Sequence, residues 1–229
     1  MSGSSRDNWF ERYRADSEIQ FFGTITASVS HELNNVISIL NQTGGLLEDL
    51  LYGAQQGQEI TSENLERIAS KIAAQTDRGI SIIRRLNSFA HTVDEPIMEF
   101  DLGELLGNLM ALCGRFAALR GIELTDNTGG GRITVKNSPI GVQQVVFLLI
   151  RDILGTGQKG DTVSYSIEEG ESGTVIVFRL ANGREPELPN LESTISHSEE
   201  IGATIEVIVN QEQKSVRINL PKQYIPGRE

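Results

Sequence analysis

The stretch that decides the fold is FGTITASVSHELNNVISILNQTGGLLEDL, residues 22–50. Its apolar side chains recur at spacings of three, four and seven residues, which is typical of a helix packed along one seam. We therefore predict one long helix over residues 17–52. The predicted seam consists of Phe22, Ile25, Val29, Leu33, Val36, Leu40, Leu47 and Leu50.

A second helix follows a break at residues 51–61 that contains two glycines, with Ser62 as the predicted N-cap and Pro96 as the end. Two helices joined by a short loop form an antiparallel hairpin. Because a hairpin alone buries little surface, we expect two copies to pair as a homodimeric four-helix bundle. The second helix offers two rows of seam positions, namely Leu65, Ile72, Gly79, Leu86 and Val93, and Ile68, Gln75, Ile82 and Phe89.

Beyond Pro96 the pattern changes to separate helices and strands, which predicts an α+β fold whose second part is an α/β sandwich of antiparallel strands. Residues 1–16 are expected to be a flexible N-terminus, 17–95 the hairpin and 96–229 the second domain. Residues 100–121 are predicted to form a short strand entry followed by a helix that ends at Gly121. Residues 138–158 are predicted to form an apolar helix with Ser138 as its cap and Pro139 in the first helical position. Predicted strands are 122–128 and 132–137, placed around the turn TGGGR, and 162–169, 174–182, 202–210 and 214–221.

Composition excludes several classes of function. The net charge is -11, with 31 acidic and 20 basic residues, which argues against a nucleic-acid partner. The single cysteine, Cys113, allows no internal disulfide or thiolate metal cluster, and we expect it to be a small buried residue of an apolar helix. No apolar run approaches the ~20 residues needed to cross a bilayer. We therefore expect no membrane partner, and we expect a cytoplasmic location.

The candidate reactive residue is His31. On a helix whose seam contains Val29, His31 lies about 200° away and so faces solvent. A solvated imidazole is largely neutral at pH 7, and its lone pair can attack phosphorus. Glu32 could act as general base or fix the tautomer, and Asn35 shares the face of His31 one turn on. Asn35 stands where an HExxH zinc motif needs its second histidine, so no metal is expected, and His91 and His197 are predicted to be surface residues.

The segment SVSHELNN, residues 28–35, resembles the phospho-acceptor box of sensor histidine kinases, and so does its setting in a helical hairpin. The resemblance implies that His31 is phosphorylated and that Glu32 is its acid–base partner. It also matches Glu32 and Asn35 to a pattern associated with phosphatase activity on a receiver domain. Many members have a proline after the second asparagine, whereas Val36 stands here, which predicts a straighter helix.

The second domain resembles the ATP-binding domain of the same kinases but departs from it at three elements. Asp152 replaces the asparagine that faces Mg²⁺ and the phosphates, and although an aspartate could still ligate Mg²⁺, Leu148 replaces another polar residue of that helix. Ala181 stands in place of the adenine-binding aspartate, and Glu185 in place of a glycine of the same loop. The following segment lacks a Gly-x-Gly helix start. We therefore expect a degenerate ATP-binding domain with no cofactor.

These observations favour a phosphorelay protein that exchanges a phosphoryl group between His31 and an aspartate of a response-regulator receiver domain. One alternative is an ATP-dependent histidine kinase with a divergent nucleotide site, which would need ATP and Mg²⁺. Another is a regulator that binds a kinase or a receiver and never carries phosphate. Transfer of the ATP γ-phosphate to His31 would favour the first alternative, and full function of a His31→Ala protein would favour the second.

Overall fold

The computed structural model describes residues 4–170, 173–181, 191–209 and 214–224, with side chains from residue 19 onward. The chain opens with two long helices, α1 (Ser4–Gln55) and α2 (Ser62–Ala90), followed by a short 3₁₀ turn, His91–Val93. Helix α1 begins at Ser4 rather than near residue 17, so the segment expected to be flexible continues the helix. The N-cap of α2 is Thr61, one residue before the predicted Ser62, because its hydroxyl accepts the Asn64 N–H at 3.3 Å.

The hairpin buries one of the two seam rows of α2 more completely than the other. Ile68, Ile82 and Phe89 are buried, whereas Leu65 and Ile72 remain 45% and 37% exposed. The helices approach closely where Gly79 faces Val36, because a Cβ atom at Gly79 would lie 3.5 Å from Val36 Cγ1. Leu65 and Ile72, which belong to the less buried row, are therefore left on the outside of a single chain.

The second domain contains three further helices and seven strands among the described residues. Asp101 caps the first of these helices through the N–H groups of Gly103 and Glu104, and Gly121 ends it in the left-handed region at φ 66°. Ser138 caps the next helix with Pro139 in the first turn, as predicted. The elements are β1 (Met98–Asp101), α3 (Leu102–Arg120), β2 (Glu123–Asp126), β3 (Thr134–Asn137), α4 (Pro139–Thr156), β4 (Thr162–Glu169), β5 (Gly173–Ala181), α5 (Glu192–Glu200), β6 (Thr204–Val209) and β7 (Lys214–Pro221).

The strands form a five-stranded sheet in the order β2-β4-β5-β7-β6 and a separate antiparallel pair, β1-β3. Strands β2 and β3 lie where the sequence predicts strands, but the expectation of antiparallel strands throughout was wrong. Strands β2 and β3 do not pair across the TGGGR turn, and β2 instead runs parallel to β4, so the main sheet is mixed. Gly129 and Gly130 adopt positive φ angles, and the chain leaves the sheet there to pair β3 with β1, where Val135 is buried. The α+β fold class itself is confirmed.

One hydrophobic core joins the hairpin to the second domain. The ring of Phe21 on α1 lies 4.8 Å from that of Phe147 on α4 and 5.3 Å, edge-on, from that of Phe89 on α2, measured between centroids. The buried hydroxyl of Ser28 donates to the carbonyl of Leu112 on α3 at 3.4 Å. The second domain is thus anchored on α1 within one turn of His31.

Helices α3 and α4 are long and apolar enough to cross a membrane by length and composition alone. In both, a large share of the apolar window is buried inside the protein, 44% for α3 and 67% for α4. The expectation that no apolar run is long enough to cross a bilayer was therefore wrong. The physical reason is that a core helix covered by neighbours on several sides is apolar nearly all round.

Candidate functional site

His31 lies on the exposed side of α1, between seam positions that are buried. Val29 and Val36 are 3% and 4% exposed, while the imidazole and the side chain of Asn35, one turn later, are both exposed. The predicted orientation of His31 toward solvent is therefore confirmed for the single chain. Both side chains are accessible to solvent.

Glu32 takes a different direction from His31. Successive helical residues lie about 100° apart, so neighbours in sequence do not share a face. The half-buried Glu32 carboxylate lies across the hairpin, with Oε2 3.9 Å from Nη2 of Arg78 on α2. This long ion pair directs the carboxylate toward α2.

Helix α1 passes His31 without a break. Val36 occupies the position where many kinases of the resembled family have proline, and it lies in the middle of the continuous helix Ser4–Gln55. The hydroxyls of Ser30 and Ser38 donate to carbonyls one turn back, those of Thr26 and Asn34, each at 2.8 Å. These hydroxyls are thus satisfied within the helix.

A groove of about 660 Å³ opens beside His31, between α1 and α3. Small side chains on α1 create the space, and the other wall belongs to the second domain. Sequence reasoning found His31 but missed the wall from α3, because spacing within one helix carries no information about which distant helix packs beside it. The groove, called here the His31 groove, is lined by Gln20, Gly23, Thr24, Ala27, Ser28, His31, Arg115, Phe116 and Leu119.

A second shallow groove of about 640 Å³ runs along the adjacent flank of the same helical segment. It shares Gly23 and Ala27 with the His31 groove, so these two small residues keep α1 slender on both sides. Its lining is otherwise apolar or hydroxylic, with Ile19, Phe22, Thr26 and Ser30. The helix turns preceding His31 are therefore accessible from two directions.

Asp152, the residue tied by resemblance to Mg²⁺ and phosphate, lies in a very different setting. Its side chain is only 13% exposed, and Nη2 of Arg151 lies 2.7 Å from Oδ1. The fully buried hydroxyl of Thr194 on α5 donates to Oδ2 at 3.2 Å. Both carboxylate oxygens already have partners within the protein.

Helix α5 was not predicted from the sequence, and it supplies much of this setting. Thr194, His197 and Ser198 are all buried against the domain. The interpretation of His197 as a surface residue was therefore wrong, since it is 5% exposed and its Nδ1 lies 2.8 Å from the carbonyl oxygen of Ser193. A short polar helix with no apolar stripe gives little sequence signal, because its buried groups are small or hydrogen-bonded.

The remaining residues singled out from the sequence are His91, Cys113, Leu148, Ala181 and Glu185. His91 is exposed and bonds the carboxylate of Asp94 through Nδ1 at 2.8 Å, as a surface residue does. Cys113 is fully buried, as predicted, and burial raises the pKa of its thiol to about 12. Leu148 is buried and Ala181 is exposed at the end of β5, while Glu185 lies outside the described residues.

The sequence matches no model of a known protein family. Among solved structures, the chain is similar to the catalytic domain of histidine kinase ThkA, with 14% identity over 57% of this chain and 100% of that one and a TM-score of 0.49. It is similar to histidine kinase AdeS of Acinetobacter baumannii, with 11% identity over 84% and 98% of the two chains and a TM-score of 0.47.

A third similar structure is ThkA in complex with response regulator protein TrrA, with 17% identity over 97% of this chain and 68% of that one and a TM-score of 0.47. These neighbours are histidine kinases, the family that the sequence resembles. At such identities and TM-scores the likeness concerns general architecture, and no residue's role follows from it.

Proposed function

We propose that this chain is a protein of the two-component type that accepts a phosphoryl group on His31 and exchanges it with an aspartate of a response-regulator receiver domain. The observation that carries the proposal is the exposed imidazole of His31 on an otherwise anchored helix, beside an open groove. A nucleophile that must meet a second protein has to be accessible and held in a fixed direction. His31 meets both conditions.

The proposed step balances as a simple displacement. The lone pair of a neutral His31 ring nitrogen attacks the phosphorus of an aspartyl phosphate, a P–N bond forms and the P–O bond to the aspartate breaks. The aspartate leaves as a carboxylate with the electron pair, and the proton on the other ring nitrogen is free to pass to a base. The reverse displacement returns the group to the receiver.

Glu32 and Asn35 take supporting parts in this proposal. We assign Glu32 the role of acceptor for the ring proton. Because the Glu32 carboxylate pairs with Arg78 across the hairpin at 3.9 Å, its side chain must first rotate away from α2. The exposed amide of Asn35 shares the face of His31 and is placed to hydrogen-bond a phosphoryl oxygen or a water.

The α4–α5 contact supports phosphotransfer between proteins over use of ATP. Asp152, the position that resembles a Mg²⁺-facing asparagine, has both oxygens engaged by Arg151 and Thr194. A Mg²⁺ ion would have to displace a charge-assisted pair before it could bind there. We therefore propose that neither ATP nor Mg²⁺ is a cofactor.

The outer face of the hairpin supports a homodimer. Four large aliphatic side chains on α2, namely Leu65, Ile72, Ile80 and Ile83, are 37–47% exposed in the single chain. An apolar stripe of this kind marks an interface, and a second copy of the same hairpin would complete a four-helix bundle. A cytoplasmic location is part of the same proposal, since receiver domains work there.

The test is transfer from receivers to the full chain. Receiver domains charged with acetyl phosphate are mixed with the purified protein, and label on the chain is followed through acid treatment, because phosphohistidine is acid-labile. We expect acid-labile label on the unaltered protein and none on His31→Gln, while His91→Gln, an exposed histidine elsewhere, labels normally. Label that arrives from ATP alone would instead establish a kinase, and a full cellular effect of His31→Ala would establish a regulator that carries no phosphate.

A further inference from the structure

The His31 groove contains a cation that the proposed chemistry has not yet used. Arg115 on α3 lines the groove together with His31 and is half-buried. Within the part of the chain that the structure describes, no ion pair or side-chain hydrogen bond engages its guanidinium group. By contrast, Arg78, the arginine on the α2 side of His31, pairs with Glu32.

We propose that Arg115 is a positioning residue that holds the phosphoryl group at His31 during transfer. This inference depends on the proposed function, because it assigns a role at the same site. A guanidinium group is always charged and can donate two parallel hydrogen bonds to phosphoryl oxygens. Arg115 belongs to the second domain, so that domain would contribute directly to the reaction and not only brace the hairpin.

Charge favours such a cation. The protein carries a net charge of -11, and an incoming phosphoryl group adds about two further negative charges near His31. Repulsion of that kind slows encounter unless a local positive charge compensates it. Glu32 lies next to the reacting residue and is paired with Arg78 at 3.9 Å, whereas Arg115 lines the groove on the other side of His31 and is available to offset the added charge.

The anchoring of α3 gives Arg115 a fixed place. Ser28 donates to the carbonyl of Leu112 one turn before Arg115, and Phe116, which follows it, packs against the core with its ring 6.5 Å from that of Phe147. The backbone that carries the guanidinium group is therefore held against the turn that precedes His31. Only the flexible stem has to move when a phosphoryl group arrives.

The experiment uses phosphoramidate, a small phosphoryl donor that needs no receiver, on the full-length protein. Phosphorylation of His31 replaces the P–N bond to departing ammonia with a P–N bond to the imidazole. We compare the unaltered protein with Arg115→Gln, Arg115→Lys and Arg132→Gln. Arg132 is the matched control, because its Nε lies 4.0 Å from Oδ2 of Asp101 at the opposite end of α3 and its side chain is 81% exposed.

We expect Arg115→Gln to slow phosphorylation of His31 about tenfold at low salt, with Arg115→Lys in between and Arg132→Gln unchanged. Rising salt should slow the unaltered protein by screening Arg115, and it should speed Arg115→Gln by screening the repulsion that is no longer compensated, so the two rates should converge. Equal unfolding temperatures of all four proteins would separate this effect from misfolding.

Equal rates for Arg115→Gln and Arg132→Gln would overturn the inference and leave the proposed function intact. If no receiver exchanges label with the chain but Arg115→Gln still slows phosphorylation by phosphoramidate, the proposed function is overturned and the role of Arg115 at His31 is kept. Absence of label on His31 in the unaltered protein would overturn the inference as well.

Discussion

The exposed face of α1 and the α4–α5 contact each carry a residue that resembles a functional position in histidine kinases, yet the two are built in opposite ways. His31 stands exposed beside a groove of about 660 Å³. Asp152 is 13% exposed, and both of its oxygens have partners. The comparison teaches that the residue type alone does not keep a function, because the surroundings decide whether a ligand can reach it.

The difference arises from what packs beside each helix. On α1, Gly23 and Ala27 carry too little side chain to fill the space toward α3, so a groove remains. On α4, the end of α5 is fixed tightly, since a Cβ atom at Gly141 would lie 2.4 Å from Ile201 Cγ2. The amide of Asn137 also donates to the carbonyl of Ile201 at 3.1 Å.

The largest expected effect comes from weakening the contact between the hairpin and the second domain at Phe21. This ring is 2% exposed and contacts the rings of Phe89 and Phe147, so it joins the hairpin to the second domain. Phe21→Ala should lower the free energy of unfolding by about 3–5 kcal/mol, measured by chemical denaturation. Leu119→Ala, at a position 72% exposed, is the control and should change it by less than about 0.5 kcal/mol.

A separate unfolding transition for the hairpin in Phe21→Ala would show that the ring also couples the two regions cooperatively. A change below about 1 kcal/mol would contradict the single core, and the two regions would then have to be treated as independent.

The next effect concerns the outer face of the hairpin. Ile72 is 37% exposed in the single chain, and we expect it to be buried in the dimer. Ile72→Asp should weaken dimerisation at least a hundredfold, because it would place an unpaired carboxylate in an apolar interface. Light scattering or sedimentation should report a monomer at concentrations where the unaltered protein is a dimer.

Lys71→Asp is the matched control, because it changes an exposed neighbour of Ile72 and should leave the mass unchanged. If the unaltered protein is itself a monomer at high concentration, the homodimer is excluded.

Much of the fold could be predicted because the deciding signals are local. Elements are fixed within a few residues by the cap Ser138, by Gly121 at the end of α3 and by the alternation in β4 and β7. Strand partners could not be predicted in the same way. The glycines at 129–130 indicate a turn, but pairing of β3 with β1 depends on burial of Val135 far from that turn.

At the candidate site, too, only the features that depend on a single helix could be predicted. The seam of α1 gave the exposure of His31, since an amphipathic helix determines which side chains are left outside. It could not give Arg115 or Thr194, because both reach their sites from helices distant in sequence. The surface interpretation of His197 failed for the same reason, as the environment of α5 is made by α4 rather than by its own neighbours.

A smaller effect tests the α4–α5 contact. Thr194→Val keeps the shape of the side chain but removes the donor to Asp152, which should cost about 1–2 kcal/mol of unfolding free energy. ATP with Mg²⁺ should leave the unfolding temperature of both proteins unchanged. A ligand present at a hundred times its dissociation constant would add about 2.7 kcal/mol, so such binding would be visible.

Protection by ATP in the unaltered protein would contradict the proposal that the contact excludes nucleotide. Protection only in Thr194→Val would sharpen it, since the variant would then have opened a site that α5 normally covers.

The smallest effect at neutral pH is expected at Cys113, which lies on α3 only two residues before Arg115 and yet faces the core. Its thiol is fully buried, and burial raises its pKa to about 12, so the reactive thiolate is almost absent in the folded protein. Iodoacetamide at pH 8 should therefore label Cys113 only after denaturation, while the groove one turn away stays accessible to phosphoramidate.

The same burial gives a pH dependence whose sign follows from the protons bound. Above about pH 9 the unfolded chain loses the thiol proton, whereas the folded chain keeps it until about pH 12. Stability from this group is complete below pH 9 and falls by about 1.4 kcal/mol per pH unit above it. Cys113→Ala should reduce that slope. Tyr165, whose pKa is also raised by burial and by the Asp126 carboxylate, adds to the slope in the same direction. Rapid labelling of the native protein would mean that α3 opens on the timescale of the assay, and a helix that opens so easily could not hold Arg115 in place beside His31.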